Sequence, residues 1–352
     1  MKFASRFFFT CYYHVYVIAG ESSGDKLGYH LVRSLQRMDN SLVVHGVGGP
    51  LLEKQGLQSL FPYEELSVMG LSSVLWRLPR LLYRLKQVER DILMKQPDAV
   101  IAIDSKGFSS RIFQRISKGD KRWTPLRIQY VGPSVWAIKD GLRAAQQFGK
   151  WIDHVLLLFP LEAALWKQAH VPCTVVGPGF CENLEWFDSK TKYQRKDSTT
   201  TRLVALLGSR IQEVKKAAPL VMKCIQLLRE EGFHDLQIII PYVGHTRSWI
   251  ENQIPYYSDV EWVNGEDEKA YLEALVTSDF AVAVSGTSVM ECHLCQLPVI
   301  VIYPCDSLTR YIIKRKVNVS YASMANIMLD RNVVPELLLE QCKVDHLLPL
   351  IR

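Results

Sequence analysis

Two successive series of short β-branched runs, separated by longer stretches of helical composition, leave this chain little choice of fold. Such alternation argues for parallel sheets covered by helices. We read strands over 14–19, 42–45, 99–103, 127–131, 154–159 and 174–176, and again over 203–207, 236–241, 260–263, 280–284 and 299–303. Between the two series lies GPGFCENLEWFDSKTKYQRKDSTTTR, residues 177–202, rich in Pro, Gly, Asn, Ser and charge that no packed element favours. The reading is an α/β protein of two Rossmann-like, doubly wound domains with an interdomain cleft. Residues 1–13 form an N-terminal extension, 14–183 the first domain, 184–201 a linker and 202–352 the second domain. In open parallel sheets ligands bind beyond the carboxyl ends of the strands, so chemistry is sought there.

The chain has 352 residues, 48% hydrophobic and 22% charged, enough apolar material for two cores and far from disordered or collagen-like composition. Its net charge of +6 suits anionic substrates or a phosphate-rich membrane surface and falls short of a nucleic-acid binder. Eight scattered cysteines in so long a chain point to a reducing compartment. Cys292-His293-Leu294-Cys295 could be a redox dithiol or half a zinc site, but no second Cys/His pair follows, and buried thiols in a helix are the plainer reading. No run reaches the roughly 18 apolar residues of a spanning helix. The first twenty residues carry Lys2 and Arg6 and no acid before Glu21, as in an organelle transit peptide or a plain extension.

The first strand runs into Gly20-Glu21-Ser22-Ser23-Gly24-Asp25, where backbone can approach a ligand and the next helix offers N–H groups to an anion. It is neither a dinucleotide fingerprint nor a Walker A loop; Ser22 or Ser23 as a simple N-cap is the alternative. Asp104 closes the strand 99–103 and suits a general base facing the cleft, or an N-cap of the next helix. In the second domain, Gly208-Ser209-Arg210 follows a strand. Ser209-x-x-Gln212 fits a capping box, whereas Arg210 at a helix start suits a diphosphate. Ser285-Gly286-Thr287 leads from strand to helix. Ser288-x-x-Glu291 is again a capping box, unless Glu291 accepts from ribose hydroxyls. Residues 66–90 combine Val68, Met69, Leu71, Val74, Leu75 and further leucines with Arg77, Arg80, Arg84, Lys86 and Arg90. This reads as a membrane-surface element or a core-facing helix with a basic rim, interrupted by Pro79. No Asp-x-Asp occurs, which for a nucleotide-sugar transferase implies metal-free chemistry and no cofactor.

Taken in order, residues 19–25, Gly46-Val-Gly-Gly-Pro50, Glu65-Leu-Ser-Val-Met-Gly70, Ile103-Asp104, Tyr130-Val-Gly-Pro-Ser-Val-Trp-Ala137, Gly208-Ser209-Arg210, Ser285-Gly286-Thr287 with Glu291, and Ala325-Asn326 resemble the lipid-A-disaccharide synthase family of GT-B glycosyltransferases from about Val15 onward. The resemblance implies inverting transfer of 2,3-diacylglucosamine from its UDP derivative to the 6-hydroxyl of 2,3-diacylglucosamine 1-phosphate, giving a β-1,6 disaccharide phosphate and UDP. It implies Asp104 as base or its electrostatic partner, and residues 20–25 with Ser134 on the acceptor side. Gly208, Ser209, Arg210, Ser285, Gly286, Thr287, Glu291 and Asn326 would hold UDP, and the segment matching Val68 to Leu75 would meet an anionic membrane. No nucleic acid and no metal are implied, and a homodimer is compatible.

The chain departs from the family after Asp104, where Ser105-Lys106-Gly107-Phe108-Ser109 lacks the usual Pro and Asn. It departs also at Trp136-Ala-Ile138, at Gly177-Pro178-Gly179, and in ending at Arg352 where relatives run on through terminal helices. A non-catalytic relative that binds UDP-sugar or acyl-sugar at a membrane is the alternative, and a UDP-sugar epimerase a third reading, opposed by the apolar stripe at 68–85. The N-terminal extension and these departures lean toward the plant mitochondrial type over the cytoplasmic face of a bacterial inner membrane.

Overall fold

A computed structural model describes residues 13–66, 71–119, 123–178, 200–253 and 260–352, apart from the side chains of 71–77, 245 and 253. It divides into two compact units. The first holds the described residues up to Trp136 and those from Asp140 to 178; the second holds Ala137–Lys139 and the residues from 200 on. The expected boundary at 183 lies outside the described residues.

In the first unit, strands β1 (His14–Ala19), β2 (Val43–Val47), β3 (Ala99–Ile103), β4 (Leu126–Tyr130), β5 (His154–Leu157) and β6 (Cys173–Val175) form one parallel sheet in the order β2-β1-β3-β4-β5-β6. The period of two along each strand sends alternate side chains to two cores. Tyr16, Ile18, Val100 and Ala102 pack on one face; Val15, Val17, Ala19, Ile101 and Ile103 pack on the other.

In the second unit, β7 (Thr201–Leu206), β8 (Leu236–Tyr242), β9 (Val260–Asn264), β10 (Phe280–Val284), β11 (Val299–Tyr303) and β12 (Glu336–Leu338) run parallel in the order β12-β11-β10-β7-β8-β9. Leu203, Ala205 and Val282 face one core, and Val204, Leu206, Ala281 and Ala283 the other. The last strand, three residues at the sheet edge, was not expected from the sequence.

Each order reverses direction once, between β1 and β3 in the first unit and between β7 and β10 in the second. At such a point the connections depart to opposite sides and leave a crevice beyond the strand ends.

One expectation is corrected. Helix Leu71–Lys95 continues through Pro79, although a proline removes one internal hydrogen bond. Leu85, Val88 and Ile92 from its later turns are buried in the first core and anchor the helix beyond the proline.

Candidate active site

The strand ends at the first reversal lie side by side, because Ala19 pairs with Ile103 and Ile103 with Tyr130. A Cβ on Gly20 would fall 2.8 Å from Ser105 Oγ and 2.9 Å from Leu66 Cβ, so only glycine lets the turn after β1 lie against the turn after β3. Glu21, Ser22 and Ser23 are half-buried. The helix Ser22–Met38 takes Glu21 as its N-cap with no side-chain cap bond, so neither serine caps it.

Gly24 and Asp25 are buried, and Asp25 turns inward. Its carboxylate accepts the backbone N–H groups of Gly49 at 2.8 Å, Leu51 at 2.9 Å and Leu52 at 3.1 Å, which fixes the loop after β2 at the start of helix Pro50–Glu53. Burial pushes this carboxyl above its ordinary range against the pull of those three donors. The structure thus gives Asp25 a scaffolding task in place of the expected acceptor-facing one.

Asp104 follows β3 half-buried, in the left-handed region with φ 54°, and Ser105 follows with φ 48°. Ser105, not Asp104, is the N-cap of helix Lys106–Ile116, and it makes no side-chain cap bond. The capping alternative for Asp104 is therefore removed. Across the strand pair, Val131 also has φ 63°, rare for a β-branched residue. Gln129 escaped the sequence reading. It is fully buried on β4, and its Nε2 donates to the carbonyl of Asp104 at 2.9 Å and reaches those of Val131 at 3.2 Å and Tyr130 at 3.3 Å. Ser134 lies exposed in the loop after β4.

At the second reversal, Gly208 has φ +102°, and a Cβ there would stand 2.6 Å from Glu213 Oε2. Ser209 is half-buried and does not cap. Arg210 is the N-cap of helix Ile211–Glu230 and Glu213 its third residue, so the expected Ser209/Gln212 box is displaced by one position. Arg210 Nη1 donates to Glu213 Oε1 at 2.7 Å, which orients the guanidinium. After β10, Ser285 is half-buried while Gly286 and Thr287 are exposed, and helix Thr287–Leu294 begins with no side-chain cap at Gly286. Such a helix start can receive an anion.

Two further expectations change. Glu291 is buried and accepts the Tyr271 hydroxyl at 2.8 Å, so the Ser288/Glu291 box does not form; burial and this carboxylate push the phenol well above its usual range. Asn326 is fully buried. Its Nδ2 donates to Val334 O at 2.8 Å, Glu336 Oε1 at 2.7 Å and Asn332 Oδ1 at 3.2 Å, and its Oδ1 accepts from Val333 N at 2.8 Å and Val334 N at 2.9 Å. No surface of it remains for a ligand.

Val68 and Met69 lie outside the described residues, as do the side chains of Leu71, Val74 and Leu75. Farther along the same helix Leu78, Leu82 and Tyr83 are exposed. Arg80 and Arg84 both grip Glu65, with Nε to Oε2 distances of 2.8 Å, and hold its carboxyl down at about 2. Cys292 and Cys295 are buried, and burial pushes the Cys292 thiol well up, as befits an inert core thiol. Among the described residues no helix is long and apolar enough to cross a membrane, and no cluster of His, Cys, Asp and Glu could hold a metal ion.

The fold resembles a UDP-GlcNAc 2-epimerase from Methanocaldococcus jannaschii, solved with UDP-GlcNAc and UDP, at a TM-score of 0.60 with 11% identity over 97% of this chain and 91% of that one. It also resembles the glycosyltransferase of kitacinnamycin, at 0.56 with 13% identity over 96% and 89%. At such identities the likeness speaks for the fold alone, a two-domain GT-B-like architecture. Sequence is more specific. The chain is 36% identical over 337 residues to the lipid-A-disaccharide synthase of Rhodospirillum centenum, covering 95% of this chain and 82% of that protein. It is 31% identical over 338 residues to that of Actinobacillus pleuropneumoniae serotype 3, covering 94% and 83%. These relatives are bacterial and lend no support to a plant mitochondrial type. The model of the family described as lipid-A-disaccharide synthetase matches residues 15–348. The chain belongs to the lipid-A-disaccharide synthase family, enzymes that transfer a glycosyl group in the making of the lipid A disaccharide.

Proposed function

We infer that the chain moves 2,3-diacylglucosamine from UDP to the 6-hydroxyl of 2,3-diacylglucosamine 1-phosphate with inversion at the anomeric carbon. The observation that carries this reading is the coincidence of the motif residues with both strand-order reversals: Asp104 at one, Arg210 and the helix start at Thr287 at the other. In the reaction the Asp104 carboxylate takes the proton of the 6-hydroxyl, and the oxygen attacks the anomeric carbon from the face opposite UDP. The new C–O bond forms as the bond to the β-phosphate breaks. The diphosphate leaves with its charge met by Arg210 and the N–H groups at the Thr287 helix start, with Gly208, Ser209, Ser285 and Gly286 as the backbone it approaches. Glu291 and Asn326 act from behind this surface by holding it in shape.

The acceptor lies along residues 20–24 and Ser134. Its acyl chains and those of the donor reach the enzyme from an anionic membrane surface through the segment of Val68, Met69, Leu71, Val74 and Leu75, the exposed Leu78 and Leu82 extending it. Bacterial kinship favours the cytoplasmic face of an inner membrane; against it stand only the basic extension at 1–13 and the departures from the family after Asp104, at 136–138, at 177–179 and at the end of the sequence.

The test mixes the purified chain in detergent with both acylated sugars and EDTA, and reads products by mass spectrometry. Disaccharide phosphate plus UDP is expected, and Asp104→Ala should abolish it while UDP binding by calorimetry persists. UDP bound by wild type without product points to the binding-only relative, and wild-type turnover by Asp104→Ala removes this residue from the chemistry.

A further inference from the structure

Three residues other than glycine adopt left-handed backbone where β3 and β4 end: Asp104, Ser105 and Val131. Each is costly for a residue with a side chain unless its surroundings enforce it. One side chain ties two of the three, Asp104 and Val131, together. Gln129 sits opposite Ala102 in the sheet, fully buried, and its amide N–H groups lie on the carbonyls of Asp104, Tyr130 and Val131. Three carbonyls around Nε2 fix which end of the amide is the donor. Its Oε1 is buried with no partner, a further cost. A side chain there for packing alone would be apolar, since its partners on the two flanking strands, Ala102 and Val155, are. Backbone strain and an orphaned acceptor gathered at one strand end mark a place where geometry matters more than stability.

We propose that Gln129 is the positioning residue of Asp104, its carboxamide pinning the Asp104 carbonyl so that the left-handed turn aims the carboxylate at the acceptor hydroxyl. The proposal rests on Asp104 as the base. It assigns Gln129 no contact with substrate. An apolar replacement would release the Asp104 carbonyl and let the turn relax toward an ordinary backbone, and a displacement near 1 Å costs about 100-fold in rate.

The experiment compares the full chain with Gln129→Leu, Gln129→Glu and Asp104→Ala in the disaccharide assay, with UDP affinity and thermal unfolding measured beside it. Gln129→Leu should lower kcat by about 10- to 100-fold while both KM values and UDP affinity stay within about threefold. Gln129→Glu supplies an independent readout. Ionised, it sets an anion against three carbonyl oxygens; protonated, it regains one donor. Its kcat relative to wild type should therefore rise as pH falls, because burial raises the pKa of a Glu above its ordinary range. Wild-type kcat in a folded Gln129→Leu protein overturns the proposal. Should that variant fail to fold, a Gln129→Glu ratio flat with pH overturns it equally. If Asp104→Ala turns over normally, the reading of Asp104 itself has failed, an outcome visible in a separate sample.

Discussion

Replacing Asn326 with Ala separates two accounts of that residue. As a ligand contact, its loss would weaken UDP binding and leave stability nearly unchanged. The structure requires the reverse. The side chain carries hydrogen bonds to Val333 N, Val334 N, Val334 O, Asn332 and Glu336, all within 2.7–3.2 Å. At about 0.5–1.5 kcal/mol net for each bond the upper sum is large, but Val333 is 44% exposed and its N–H can turn to water. The expected loss is therefore about 2–4 kcal/mol, a fall of roughly 5–15 °C in the unfolding transition of the second unit. Asp at this position adds a signature of sign. It accepts both N–H groups but stands beside Glu336, whose carboxylate also accepts from Ala322 N at 2.8 Å and Ser323 N at 2.7 Å. Beside that carboxylate the introduced carboxyl has a folded-state pKa raised above its unfolded value, so its contribution is fully present below the unfolded pKa and lost as pH rises through the folded one. The deficit of Asn326→Asp should shrink on acidification, and that of Asn326→Ala should not. Differential scanning calorimetry over a pH series, with UDP titrations on the folded variants, decides the matter. A transition unmoved in Asn326→Ala together with a tenfold or greater loss of UDP affinity would falsify the scaffold account.

Two other perturbations test the frame around the site. Gly208→Ala must hold φ +102° and place its Cβ against Glu213, so it should lose about 1–3 kcal/mol and weaken UDP binding as Arg210 shifts; equal melting and equal affinity would show that the turn tolerates a side chain. Glu65→Gln breaks the double arginine clamp. Because the folded pKa of Glu65 lies near 2, below the ordinary 4.5, its contribution is present above the unfolded value and lost as pH falls through about 2. The gap in melting temperature between wild type and Glu65→Gln should thus be widest near neutrality and narrow on acidification, and a gap constant with pH would refute the clamp.

The central strands were legible because burial on both faces makes them continuous apolar runs; Ala99–Ile103, Phe280–Val284 and Val299–Tyr303 stand where the sequence puts them. The strand Glu336–Leu338 was not, since three residues at a sheet edge carry no period. Capping boxes misled twice for one reason: the residue that becomes the N-cap depends on where the preceding turn ends. One extra residue after Gly208 moves the pair from Ser209/Gln212 to Arg210/Glu213. Motif order found Asp25 and Asn326, but whether a polar side chain spends its hydrogen bonds inward or outward is a tertiary fact. Gln129 left no signal at all, being one polar residue on an otherwise unremarkable strand, Leu126–Tyr130.

The two units solve the strand-end problem by opposite means, and the difference follows from what each must hold under the proposed mechanism. A diphosphate is large and its charge is spread, so it can be met by several backbone N–H groups and a cation. Gly208, with its left-handed φ, and the uncapped start at Thr287 give such access to backbone without fixing any one side chain closely. A general base is one carboxylate whose oxygen must reach one proton. Glycine at that position would supply no base, so the residue in the left-handed turn has to be Asp104 itself, and the turn has to be enforced from elsewhere. Gly20 provides the room on one side, where the turns after β1 and β3 touch, and Gln129 provides the tether on the other. At the two strand-order reversals, left-handed backbone therefore falls on Asp104 and Ser105 in the first unit, where a single side chain has to be aimed, and on Gly208 in the second, where the backbone itself is the binding surface.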